Sequence, residues 1–310
     1  MDFDEILSWL MDGDVSIQYQ TKRDLLGDND IGLQNKIHTK GWGKQFLEKR
    51  KDEGHWGDHF YQPKWISSHY TLLDLKNLGV TQHHPLIKAS IDFIIKNERG
   101  KDGGVNPKGS TRYSDVCVNG MFLNYACYFK SDPKPLENVI DFILGQHMED
   151  GGFNCQSNRS GARHSSLHST ISVLEGFYEY LKQNYTYRQT EVESVMKLGQ
   201  EFILIHKLFL SDRTGDVIHK DFLKFPYPSR WKYDILRCLD HFQHVGLNWD
   251  ERLMPSIEVL MNKRNKDGTW NVQAKHPGQL HFEMEKAGKP SRWNTLRAIR
   301  VLLHFKPELL

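Results

Sequence analysis

The chain has 310 residues, of which 26% are charged and 38% hydrophobic, with a formal net charge of +2. That length gives ample core for one large domain or two average ones, and the near balance of charge excludes a nucleic-acid-binding surface. No stretch approaches the roughly 20 apolar residues of a membrane span.

The chain opens MDFDEILSWLMDGD, with neither a basic n-region nor the long apolar h-region of a secretion signal. Its cysteines, Cys117, Cys127, Cys155 and Cys238, are spread out and contain no C-x-x-C pair. A cytoplasmic protein with free thiols is expected; a secreted chain with two disulfides is the alternative.

The segments FDEILSWLM and SIQYQTKRDLLG read as a first pair of helices. From Trp42 onward a polar glycine turn ending in an apolar or aromatic residue returns five times: DEGHWG at Asp52, KDGGVN at Lys101, EDGGFN at Glu149, DRTGDVI at Asp212 and KDGTWN at Lys266. Neighbouring turns lie about 50 residues apart, a repeat-protein period. An amphipathic helix precedes each turn, with apolar residues three and four apart as in Ile87, Ile91, Ile94 and Ile95. A more apolar helix follows each, in SHYTLLDLKNLG, SDVCVNGMFLNYACYF, HSSLHSTISVLEGFYEYL, SRWKYDILRCLDHFQHVG and SRWNTLRAIRVLLHF. Ser114, Ser165, Ser229 and Ser291 stand where helix caps are needed.

A helix apolar all round must be buried. About six pairs, one helix amphipathic and one apolar in each, predict an all-α fold, an (α/α)6 toroid with the apolar helices inside; an open helical solenoid is the competing repeat fold. No linker divides the chain, so residues 1–310 are expected to form a single domain.

The turns resemble the Q-x-x-D-G-G-W/F turns of the terpenoid cyclase and protein prenyltransferase superfamily. FILGQHMEDGGFN, Phe142 to Asn154, is the closest copy, and the likeness runs from about Trp42 to the end. The chain is similar to single-domain bacterial proteins of that superfamily, the prenyltransferase-like or squalene-cyclase-like group. The resemblance implies the toroid and a central cavity, while function must be argued from the site.

The first turns of the inner helices carry the chemistry. Asp115, Cys117 and His168 offer a carboxylate, a thiolate and an imidazole, three ligands for a tetrahedral Zn²⁺ with one position open. The resemblance agrees, because prenyltransferase β subunits hold zinc with an Asp-x-Cys pair and a His one repeat later. Each residue also has a plain structural reading: a helix-start Asp, a small buried Cys and a core His. In that family basic residues before the Asp and a Tyr after the Cys handle a diphosphate; here Arg112 and Lys108 are available, but Val118 stands where the aromatic would be. There is no D-x-D-D acid, so a cyclase would have to rely on Asp234 alone.

Trp65, His69, Arg112, His164, Trp231, Tyr233, Arg292 and Trp293 are expected to bind substrate, with Asp115 and Asp234 as catalytic candidates. Trp65, Trp231 and Trp293 recur at one repeat position, as a lining for a polyprenyl chain or as repeated core packing. The loop Lys275 to Trp293, with His276, His281, Glu283 and Glu285, is either a lid or a solvated loop. The leading expectation is an enzyme acting on an apolar, isoprenoid-type substrate with catalytic zinc, without nucleic acid. The alternative is a non-catalytic toroid binding a lipid, glycan or protein ligand; opposed carboxylates for sugar chemistry are a third reading. The sequence is silent on a partner subunit.

Overall fold

The computed structural model describes residues 1–107 and 112–310, leaving aside the side chain of Asn158. Its helices are α1 Phe3–Met11, α2 Val15–Leu25, α3 Ile31–Lys36, α4 Gly41–Leu47, α5 Ser68–Leu78, α6 Pro85–Asn97, α7 Val116–Tyr128, α8 Pro133–Leu144, α9 Ser157–Ser160, α10 Leu167–Lys182, α11 Gln189–Ile205, α12 Ile235–His244, α13 Met254–Asn262 and α14 Arg292–Phe305. The strand content among the described residues is one two-residue antiparallel pair, Trp270–Asn271 against Pro290–Ser291. The chain is therefore all-α, built of paired helices, as the sequence pattern requires. No helix of the described residues is long and apolar enough to cross a membrane.

The chain divides into two compact units. One comprises residues 1–48, 78–80 and 204–310; the other comprises residues 49–77 and 81–203.

The recurring turn has one physical construction in both units. Gly54, Gly103, Gly151, Gly215 and Gly268 all sit at positive φ, between 76° and 96°. This is left-handed backbone that glycine adopts without steric cost. In four of the five turns the next apolar residue is driven into the core: Trp56 and Phe153 are fully buried, Trp270 likewise, and Val105 nearly so. The backbone N–H of each anchor then donates to a side chain early in the following helix. Trp56 donates to Ser68 Oγ at 2.9 Å, Val105 to Asn119 Oδ1 at 2.7 Å, Phe153 to Thr170 Oγ1 at 3.0 Å and Trp270 to Thr295 Oγ1 at 3.0 Å. A buried N–H needs such a partner, so the short polar residues in otherwise apolar helices are the repeat's latch. The turn at Asp212 departs from this pattern, because Val217 and Ile218 remain exposed.

Two of the expected serine caps serve the turns instead. Ser114 donates its N–H and O–H to Asp102, at 2.8 and 2.6 Å, and Ser165 makes the same pair of bonds to Asp150. Ser229 donates to Asp234, and only Ser291 accepts a helix N–H, from Asn294 at 2.9 Å. The turn Asp outcompetes the helix end because an ionised acceptor makes the stronger bond.

In the unit of residues 49–77 and 81–203, α7 and α10 pack against each other along their length. Both are buried on nearly every side, whereas α8 buries one face through Leu136, Val139, Ile140, Phe142 and Ile143. Gly120 and Gly176 set the close approach. A Cβ on Gly120 would lie 2.6 Å from the carbonyl oxygen of Ser172, and one on Gly176 would strike the carbonyl oxygen of Gly120. In the other unit, α12 packs on α14 and α14 on α2. Asp240 of α12 accepts from Arg297 at 3.1 Å and from Arg300 at 2.7 Å, and Arg300 also donates to Asp24 of α2 at 2.7 Å.

Candidate functional site

The unit built on α7 and α10 gathers four of the expected residues, Trp65, His69, Asp115 and Cys117, in one neighbourhood. The turn of residues 64–66 leads into α5 and buries Trp65. The Lys64 ammonium lies over the Trp65 ring at 5.0 Å and over Tyr61 at 5.8 Å. His69 is completely buried, ringed by Phe60, Tyr61, Tyr70 and Tyr125 with centroids 4.9–5.7 Å away. Its Nδ1 meets the Tyr125 hydroxyl at 3.3 Å, and its Nε2 has no hydrogen-bond partner among the described residues. Burial, seconded by the Lys64 charge, lowers its pKa to about 3, so the ring is neutral. Tyr61 and Tyr70 share a hydroxyl–hydroxyl bond of 2.9 Å.

Asp115 is the N-cap residue of α7 by backbone geometry, yet its side chain makes no capping bond. One carboxylate oxygen pairs with Arg159, and the other, Oδ1, is buried without a partner among the described residues. Burial pushes the carboxyl above the ordinary Asp range, with Arg159 and Lys64 pulling the other way. Two residues on, Cys117 faces Cys155. The Cys117 N–H and the Ser169 hydroxyl both donate to the Cys155 sulfur, each at 3.3 Å. The side-chain hydrogen bond between the two thiols is the main cause that lowers the Cys155 pKa and raises that of Cys117. Both residues are half-buried.

This geometry corrects the zinc reading. Asp115 is engaged by Arg159, the thiol contact of Cys117 is Cys155, and His168 does not complete the set. Among the described residues no group of three or more His, Cys, Asp or Glu side chains is placed to hold a metal ion. The donor set does not fit, because a guanidinium holds the carboxylate where a cation would have to bind. The sequence placed α7 beside α10 correctly, but Asp115, Cys117 and His168 do not come together as a metal-holding group. His164 is exposed, and its carbonyl accepts from Asn154 at 2.8 Å. Arg112 stacks over Tyr113 at 5.1 Å, and Lys108 lies outside the described residues.

The remaining expected residues belong to the other unit. Asp234 caps α12, accepting from the Arg237 N–H at 2.8 Å and the Ser229 hydroxyl at 3.1 Å. Burial raises its pKa despite these donors and the Arg297 charge. Tyr233 is buried and donates to the Leu208 carbonyl at 2.7 Å; Trp231 is half-buried beside Lys232. Arg292 donates to the Trp9 carbonyl at 2.8 Å and stacks on the Trp9 ring at 4.6 Å. Trp293 is stacked between Trp42, at 6.4 Å, and Tyr227, at 5.0 Å. The loop before α14 is packed down: Glu285 accepts from the Arg292 and Trp293 N–H groups and the Ser291 hydroxyl, and His281 and Phe282 rest on Phe46. Glu285 thereby acts as a second cap on α14.

Sequence reasoning missed Tyr61, Lys64, Tyr70, Cys155 and Arg159. The signal for Cys155 was present: it follows the buried anchor Phe153 by two positions, in the turn one repeat after the one that leads to Cys117. Arg159 carried none, since its pairing with Asp115 spans 44 residues.

Comparison with protein-family models and with curated proteins returns no match. Among solved structures the chain is similar to a glycosyl hydrolase family 88 protein from Bacteroides vulgatus, at 14% identity and a TM-score of 0.49, over 96% of this chain and 91% of that one. The expected membership of the terpenoid cyclase and prenyltransferase superfamily is therefore not upheld: no family model matches the chain. With the zinc set also lost, the reading as a zinc-dependent transferase of isoprenoid substrates falls.

Proposed function

We propose that the chain is a glycan-recognising protein, its ligand held where Tyr61, Lys64, Asp115 and Arg159 surround the buried rings of Trp65, His69 and Tyr70. The observation that carries the reading is the Asp115 Oδ1, buried and without a hydrogen-bond partner among the described residues. A buried acceptor without a donor costs about 1–3 kcal/mol, which a ligand hydroxyl would recover. An isoprenoid has no donor to offer and would desolvate Lys64 and Arg159 without compensation. A sugar supplies hydroxyls to Asp115 and to the Tyr61 hydroxyl, while its C–H face, slightly positive, suits the negative face of the half-buried Tyr61 ring. The reading includes a cytoplasmic location, which four free, widely spaced cysteines favour.

Titration calorimetry of the purified chain against a panel of neutral and acidic oligosaccharides tests it. A saturable heat is expected for at least one member, with affinity reduced about tenfold or more in Asp115→Ala, the equivalent of one lost hydrogen bond to a charged group. Absence of binding across the panel at millimolar sugar, with a folded chain, overturns the reading.

A further inference from the structure

Cys117 and Cys155 meet across two segments of one unit, the first turn of α7 and the turn that follows the buried anchor Phe153. From this contact we infer that the two thiols form a modification site, at which a hydroperoxide converts them to an intramolecular disulfide. The inference goes beyond glycan recognition and does not depend on it.

The geometry divides the roles. The Cys155 sulfur receives two hydrogen bonds at 3.3 Å, from the Cys117 N–H and the Ser169 hydroxyl, and donors aimed at a sulfur favour its thiolate. The Cys117 sulfur belongs to the residue whose own N–H touches Cys155, so a rotation about its Cα–Cβ bond moves it toward or away from the other sulfur. Cys155 stands between the buried anchor Phe153 and the short helix α9, which ends at Gly161 in left-handed backbone, so it lies outside the packed helices α7 and α10. Cys117 and Cys155 are residues of intermediate exposure, whereas Cys127 and Cys238 are fully buried in helices.

The chemistry balances as follows. The Cys155 thiolate attacks one oxygen of hydrogen peroxide; the O–O bond breaks and the leaving hydroxide takes a proton to become water. The sulfur, oxidised by two electrons, is now a sulfenic acid. The Cys117 sulfur attacks it, the S–O bond breaks, and the departing hydroxide combines with the Cys117 proton as a second water. One peroxide is reduced and two thiols are oxidised. A dithiol reductant reverses the step by exchange through a mixed disulfide.

The test uses the full chain treated with one equivalent of peroxide, quenched with an alkylating agent and mapped by mass spectrometry. Expected are loss of about 2 Da per chain, a peptide pair joining Cys117 to Cys155, unmodified Cys127 and Cys238, and full recovery with a dithiol reductant. In Cys117→Ser the oxidation stops at a Cys155 sulfenic acid that dimedone traps, and in Cys155→Ser the fast peroxide reaction is lost. Should a variant fail to fold, the peptide map of the wild-type chain decides by itself. Overoxidation of Cys155 while Cys117 stays alkylatable, linkage between separate chains, or equal reaction at all four cysteines each overturns the inference.

Discussion

Two buried carboxylates, one in each unit, show opposite solutions to one problem. Asp240 is almost wholly enclosed, and burial alone would raise its pKa; Arg300 and Arg297 outweigh that and hold it well below the usual range. Asp115 has one close cation, Arg159, which is a third exposed, and keeps an oxygen with no partner; there burial prevails and the pKa rises. A closed network, with every charge answered inside the protein, belongs to the scaffold. A pair left half-answered at a partly open position is where a ligand has something to gain.

The sharpest way to break this comparison is Asp240→Ala. It leaves Arg297 buried without its carboxylate and Arg300 with Asp24 alone, and unfolding in guanidinium should show a loss of about 3–5 kcal/mol. A loss below about 1 kcal/mol would mean that the network is solvated and no more closed than Asp115. The packing beneath Asp115 should be nearly as sensitive. Gly176→Ala forces a Cβ into the backbone of Gly120, and a destabilisation of about 3 kcal/mol is expected by the same measurement. A neutral result would show that α7 and α10 can move apart, and with them the base of the site.

Acid separates the two regions further. His69 and His244 are held down to about 3 and about 4, mainly by burial, and so stay neutral in the native state. In the unfolded chain histidine titrates near 6.5, so below about pH 6.5 the unfolded state binds more protons and stability falls as the pH is lowered toward the native values. His69→Phe should flatten this limb, retaining about 2 kcal/mol relative to its neutral-pH difference from wild type when both are unfolded at pH 4.5. If the two slopes coincide, His69 is hydrated and not enclosed by its ring of aromatics. Asp240 acts in a lower window: its native pKa is depressed, so its contribution is present above about pH 4 and lost below it. Asp115, raised in the native state, contributes with the opposite sign, losing stability as the pH rises above about 4.

Asp115→Ala is the smallest expected change in stability, within about 0.5 kcal/mol of wild type, because its pairing with the part-exposed Arg159 is offset by the buried oxygen it removes. A thermal shift as large as that of the Asp240 variant would reassign Asp115 to the scaffold.

Much of the fold was legible because it depends on local chemistry. The glycine turns announced themselves by composition, and Gly54, Gly103, Gly151 and Gly268 take the same backbone for the same steric reason. The apolar helix α7 could be read as buried from its residues alone, and α7 beside α10 followed from the repeat. The site was legible only in pieces. Asp115 and Cys117 were singled out as unusual residues at a helix start, but the contacts they make are with Arg159 and Cys155. His168 was chosen because its spacing matched a metal-binding pattern, whereas Arg159 and Cys155 come from a turn whose path no periodicity specifies.

The sequence by itself determined the all-α class, the register of the turns and the buried anchors of four of the five, because glycine sterics, side-chain period and hydrophobic burial act over a few residues. Tertiary structure alone decided that Asp115 faces a guanidinium, that Cys117 faces a second thiol and that His69 is sealed among aromatic rings. Charge pairing and desolvation depend on which distant atoms lie within a few ångströms, and that distance is set by packing between helices, not by order along the chain.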